Sequence, residues 1–218
     1  MSEDFLERVW AYREEQIYPE FFGELGEGIF TLDGDTFASV FRKSPDPRWL
    51  FTGVFECPPC SKHTDWIYVS SGLSNPWEED EPADSRDQPS WLGIEFVFPS
   101  TEQGTWAIRL VQRIAAFEIL LAHDQFEGRG RLGFGDRIPL RGPIVPGSES
   151  ALTYLLIAPP AGLQSFQLES GKVEFVQLVG VSEGEAAFGR ENGLDALLGM
   201  LADHDAYATT NPRRNSIV

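Results

Sequence analysis

Two apolar runs restrict the fold more than anything else in the sequence. Ala151-Leu-Thr-Tyr-Leu-Leu-Ile-Ala158 and Lys172-Val-Glu-Phe-Val-Gln-Leu-Val-Gly-Val181 are rich in Val, Leu, Ile and Phe. Runs of this kind predict strands at central, well-covered positions of a sheet. Part of that cover lies upstream. From Trp106 to Ala122, the residues Trp106, Leu110, Ile114, Phe117 and Leu121 fall on one helical stripe. A helix of that length spans about 25 Å, enough to cross a sheet face.

The rest of the chain fits the same frame. Residues 3–18 place Phe5, Leu6, Val9, Trp10, Arg13 and Ile17 at three-four spacing, which predicts a helix stopped by Pro19. Gly28–Leu32 and Thr36–Phe41 flank Asp33-Gly34-Asp35, the signature of a tight hairpin. Further strands are predicted over 49–55, 66–70 and 92–98, and a last helix over 194–205. The segments on either side of the insert 75–90, Tyr68–Ser74 and Leu92–Phe98, read as paired strands. The expectation is an α+β (mixed α/β) fold, a mixed, largely antiparallel sheet covered by helices. Residues 1–218 form one domain, with an N-terminal helix over 1–20, an acidic loop over 75–90 and a tail over 211–218.

Composition narrows the partner more than the fold. Hydrophobic residues make up 42%, including 16 Phe and 6 Trp, which excludes wholesale disorder. The net charge of −17 repels phosphate and so argues against nucleic acid and anionic membrane surfaces. It suits a cationic partner, or serves solubility alone. Arg109, Arg113 and Glu118 interrupt the longest apolar helix, which excludes it as a membrane span. Two cysteines and no apolar leader at the N-terminus point to a reducing cytoplasm.

Candidate chemistry is sparse. Cys57-Pro-Pro-Cys60, with His63 close behind, offers a disulfide or half a metal site. No second cysteine pair completes it, and the two prolines replace the helix start that a redox pair uses. Gly128-Arg-Gly-Arg-Leu-Gly133 matches G-x-G-x-x-G, but it follows a helix where a dinucleotide site follows a strand. Arg129 and Arg131 nonetheless offer a weak attraction for an anion. The three histidines are His63, His123 and His204; the last two fall at predicted helix ends, where capping accounts for them. No cofactor is expected. The insert holds three prolines and six acidic residues against one arginine, the composition of a solvated loop or of a docking surface for a basic protein. Trp77 beside it is either an aromatic anchor for that partner or a lid folded back on the sheet.

Several stretches, in order, resemble the Suppressor of fused family. They are Tyr68-Val-Ser-Ser-Gly-Leu-Ser74, Leu92-Gly-Ile-Glu-Phe-Val-Phe98, Gly135–Leu140, Leu152–Pro160, Phe175–Val181 and Asn211-Pro-Arg-Arg-Asn-Ser-Ile217. The resemblance covers about residues 20–217 and is closest to the N-terminal-type domain found alone in bacterial members. It implies a domain without a catalytic site. In animals it implies restraint of a transcription factor that adds a strand between two lobes, of which this chain has room for the first. For bacterial single-domain members it implies an immunity protein that neutralises a toxin encoded nearby. The family's partner-contacting tyrosine and acids correspond to Tyr68 and to Glu79 or Asp80. The expected partner face is therefore Tyr68, Trp77, Glu78, Glu79, Asp80 and Glu81. Two other readings stay open: a cytoplasmic enzyme using carboxylates or the Cys57/Cys60 pair, and a regulatory subunit of an unrelated partner.

Overall fold

The computed structural model describes residues 3–77 and 81–218. Its sheet has eight strands: Ile29–Thr31 (β1), Gly53–Cys57 (β2), Trp66–Ser71 (β3), Pro89–Ser100 (β4), Arg137–Pro139 (β5), Leu152–Ala158 (β6), Phe166–Leu168 (β7) and Gly171–Ser182 (β8). They lie in the order β1-β2-β3-β4-β8-β6-β5, and β7 pairs with the first residues of β8. β4 and β8 run parallel and the remaining pairs antiparallel, so the sheet is mixed and largely antiparallel as expected. The two apolar runs are β6 and β8, and β8 lies between β4 and β6.

Strand alternation sends successive side chains to opposite faces, and both faces are covered. Val54, Tyr68, Phe96, Phe98, Leu155, Ile157 and Leu178 share a core with the helix Thr105–Ala122 (α3). Their neighbours Phe55, Val69, Val97 and Phe175 face the other way, against Phe5, Val9, Ile17, Tyr18 and Phe22 of the N-terminal helices. Further along that second face, Leu156, Ala158, Val179 and Val181 pack under Glu183–Asn192 (α4) and Leu194–Asp203 (α5). On α3 the buried surface is wider than the stripe expected from sequence. Leu110, Ile114 and Leu121 are buried with Ala107, Val111, Ala115 and Ile119, whereas Trp106 and Phe117 are half-buried. The alanines let the helix approach the strands closely.

Four expectations are corrected. The N-terminal helix does not stop at Pro19. After Glu3–Tyr12 (α1), a wide turn over Arg13–Ile17 bonds the Tyr18 N–H back to Arg13 O. This resets the helix, so Pro19 falls in the first turn of Tyr18–Phe22 (α2), where its missing N–H costs little. The hairpin over 28–41 does not form. The Asp33 carboxylate accepts from the N–H and hydroxyl of Thr36, which starts a helical turn over Thr36–Phe41. β1 pairs instead with β2. The third strand begins only at Gly53, because Asp46 caps a 3-10 turn over Pro47–Phe51. Finally, α4, β5 and β7 were not expected. The signal for α4 was present as Ser182-Glu-Gly-Glu185: Ser182 Oγ accepts from the Glu185 N–H, and Glu185 accepts from the Ser182 N–H.

Candidate partner-binding site

The turn after β3, residues 70–77, is built on buried polar groups. Glu95, wholly buried on β4, accepts from the backbone N–H groups of Gly72 and Ser74 at 2.9 and 3.0 Å. It also accepts from the hydroxyls of Ser70 and Ser74. Arg13, 1% exposed, reaches Ser74 Oγ and Asn75 Oδ1, both at 3.0 Å, and lies 3.7 Å from the Glu95 carboxylate. Burial pushes the Glu95 carboxyl up from its ordinary range, and Arg13 and the serine and glycine donors pull against that shift. The turn's geometry needs Gly72: its φ is +134°, and a Cβ there would lie 2.6 Å from the Thr52 backbone. Both charged residues left a trace in the sequence, Arg13 on an apolar helical stripe and Glu95 inside an apolar strand.

Next to this turn lies an aromatic group drawn from four segments. The Trp77 ring packs edge-on to Trp10 of α1 and Trp91 of β4, and against Phe51 at 5.9 Å. Trp10 Nε1 donates to Asn75 Oδ1 at 2.7 Å, tying the group to the buried network. Phe51 is 55% exposed, and Trp10 and Trp91 are half-buried. Trp91 occupies a left-handed conformation, φ +49°, within an irregularity of β4 between Pro89 and Ile94. A large residue held in that region carries about 1–3 kcal/mol of strain, a recurrent mark of binding surfaces. Trp77 Nε1 and Asn75 Nδ2 are buried without a hydrogen-bond partner among the described residues.

Of the residues expected at a partner face, Tyr68 is fully buried. Its ring packs against Phe98 and its hydroxyl accepts from the Gly104 N–H at 2.9 Å, so the side chain serves the core. Burial raises its hydroxyl pKa well above the usual tyrosine range. Trp77 is 7% exposed and takes the packed of its two readings. Glu81 is exposed, while Glu78, Glu79 and Asp80 lie outside the described residues. Trp10, Phe51 and Trp91 were missed as site residues, since they come from separate segments that only the fold brings together.

The other candidates are not assembled into chemistry. Cys57 and Cys60 are both free thiols, the first buried and the second exposed. Burial, with the nearby Cys60 and Glu56 charges, pushes Cys57 up to about 12, which holds it as a poorly nucleophilic thiol. Both ring nitrogens of His63 face carbonyl oxygens, Asp65 O at 2.7 Å and Phe22 O at 2.8 Å. Among the described residues, no three His, Cys, Asp or Glu side chains are grouped to hold a metal ion. His123 and His204 do cap helices, each with Nδ1 against a carbonyl of the last turn. The G-x-G-x-x-G stretch leads from α3 into β5 and opens no helix, which removes its dinucleotide reading. No helix among the described residues is long and apolar enough to cross a membrane.

Comparison with known proteins places this architecture. The family described as Suppressor of fused protein matches residues 52–215. Human Suppressor of fused homolog is 29% identical over 128 residues, 55% of this chain and 25% of the human protein; the mouse protein is 28% identical over the same coverage. The chain thus spans about a quarter of the length of these curated relatives. Among solved structures, a putative homolog from Neisseria gonorrhoeae superposes with a TM-score of 0.62 at 21% identity, covering 100% of this chain and 98% of that one. A Sufu–Fu complex matches with a TM-score of 0.59 at 23% identity, covering 84% and 89%. Drosophila Suppressor of Fused gives the same score and identity, covering 84% and 49%.

Proposed function

The chain belongs to the Suppressor of fused family, and from that membership we propose that it is a non-catalytic domain that binds and restrains one cognate protein. A relative crystallised as a Sufu–Fu complex supports a protein as the partner. The observation that carries the reading is the aromatic group beside the insert. Phe51 stands exposed against Trp10 and Trp77, with Trp91 on the far side of Trp77, and the acidic stretch Glu78–Glu81 follows Trp77 in sequence. An aromatic anchor with a charged rim is the usual make-up of a binding hot spot. Trp77 Nε1, without a partner among the described residues, is a donor for an acceptor on the bound protein.

In its sharper form, the proposal is a cytoplasmic immunity protein whose partner is a toxin encoded by a neighbouring gene. The charge of −17 suits a basic toxin such as a nuclease, because an acidic inhibitor competes for the surface that holds nucleic acid. The test titrates the purified chain with the product of the adjacent gene and measures growth under toxin expression. A stoichiometric complex with rescued growth supports the sharper form. No complex at micromolar concentration and no rescue would sink it, and a single constant non-toxin partner in pull-downs would leave the broader reading standing.

A further inference from the structure

The stretch Gly128-Arg-Gly-Arg-Leu-Gly133 is unused by the proposed partner site, yet it borders a cleft of about 420 Å³ between the end of α3 and β5. The volume lies within the range of small-ligand sites. Its walls combine apolar surface from Phe117, Leu132 and Ile138 with the residues Arg129, Arg131, Asp136 and Arg137. Two of these arginines are fixed by the protein itself. Arg131 donates from Nε to Glu118 Oε1 at 2.6 Å and from Nη2 to Leu92 O at 2.9 Å. Arg137 donates from Nη2 to Gly189 O at 2.7 Å, while its buried Nε has no partner among the described residues. Arg129 is exposed, and its side chain makes no hydrogen bond or ion pair to the described residues.

The local charge opposes that of the whole chain. Burial lowers the Arg137 pKa, and repulsion from the nearby Arg190 adds to that effect. Against these four cations stand Glu118, already paired with Arg131, and Asp136, whose Oδ2 accepts from the Gly133 N–H at 2.8 Å. In a chain of net −17, this is a place where a small anion meets attraction rather than repulsion. Guanidinium groups held by other contacts also lose little side-chain freedom when they grip an oxyanion.

We propose that this cleft binds a small anionic ligand, a phosphate or carboxylate carried on a flat apolar body, at a site separate from the aromatic partner surface. The oxyanion lies between Arg129 and the fixed Arg131, and the apolar body lies over Phe117, Leu132 and Ile138. The test follows backbone amide NMR shifts of the intact chain titrated with phenyl phosphate, phenylacetate and inorganic phosphate. Saturable shifts in residues 129–132 and 137–139 are expected, with the preferred aryl probe binding at least tenfold tighter than inorganic phosphate. The better of the two aryl probes identifies the oxyanion as phosphate or carboxylate. Arg129→Ala, which removes no internal contact, weakens that binding tenfold or more, and Arg129→Glu abolishes it. Arg131→Ala is unsuitable because it leaves Glu118 buried without its cation. No saturation by any probe at millimolar concentration, or equal affinity of both Arg129 variants and the parent chain, would overturn the proposal.

Discussion

Two buried glutamates, each beside an arginine, end with their carboxyls shifted in opposite directions. Glu95 sits at the centre of the sheet with Arg13 at 3.7 Å, and burial raises its carboxyl above the ordinary range. Glu185 sits in the first turn of α4. Burial pulls it up as well, but Arg214 and the N–H groups of Ser182 and Ile217 outweigh burial and hold it below that range. The difference lies in geometry. Arg214 forks onto both Glu185 oxygens, with Nη2 2.7 Å from Oε2, whereas Arg13 spends its hydrogen bonds on Ser74, Asn75 and Glu14. Proximity of an opposite charge is not enough by itself: the bidentate Arg214 fork lowers Glu185, whereas Arg13 at 3.7 Å does not overcome burial at Glu95. Glu95 acts mainly as an acceptor that folds the turn, while Glu185 fastens the C-terminal tail.

The largest effect should come from breaking the weaker-looking pair. Arg13→Ala leaves Glu95 buried without a cation, which costs about 3–5 kcal/mol. Thermal denaturation should show a fall of about 6–20 °C at this chain length. A loss under about 1 kcal/mol would mean that the serine and amide donors suffice without the arginine. Next, Glu185→Gln should cost about 1–3 kcal/mol near neutral pH, read from urea midpoints.

The pH dependence of the two sites runs in opposite senses. A depressed folded pKa gives Glu185 a contribution that is present above its ordinary value of 4.5 and lost as pH falls through the folded value. Glu185→Gln should therefore flatten the acid side of the stability curve. Glu95, with a raised folded pKa, contributes most at low pH and loses that contribution as pH rises through the folded value. If Glu185→Gln leaves the acid side as steep as in the parent, the Arg214 fork is not what sets the shift.

Smaller still, Ser182→Ala should cost about 1 kcal/mol by removing one half of the capping box at the same end of α4. The smallest change in stability is expected for Phe51→Ala, within about 0.5 kcal/mol because the ring is exposed. That substitution should nevertheless weaken partner binding by about 2 kcal/mol, roughly thirtyfold, measured by calorimetry. It thus separates a residue kept for binding from residues kept for the fold.

What was legible in the sequence follows from periodicity. β3, β4, β6, β8 and α3 each carry enough alternating or helical positions to reveal themselves, and the pairing of β3 with β4 followed from the segments flanking the insert. β5 and β7 have three residues each, too few for any period to show. The error over 28–41 came from reading Asp33-Gly34 as a turn, when the Asp33 side chain was available to cap a helix. The burial of Tyr68 is set by α3, whose packing no local pattern in β3 records. The aromatic group was invisible for a different reason: Trp10, Phe51, Trp77 and Trp91 share no sequence window.

The parallel pairing of β4 with β8 has a consequence for how the molecule is made. During synthesis β4 emerges long before its neighbour, after which α3, β5, β6 and β7 must all be produced before β8 can dock against it. Until then the nascent chain carries an open, apolar strand edge next to an already complete β1-β2-β3-β4 meander. Closure by so distant a segment makes assembly slow and leaves that edge open to mispairing. A ribosome-bound fragment ending before Gly171 should therefore recruit chaperones, whereas one extending well past Ser182 should release them.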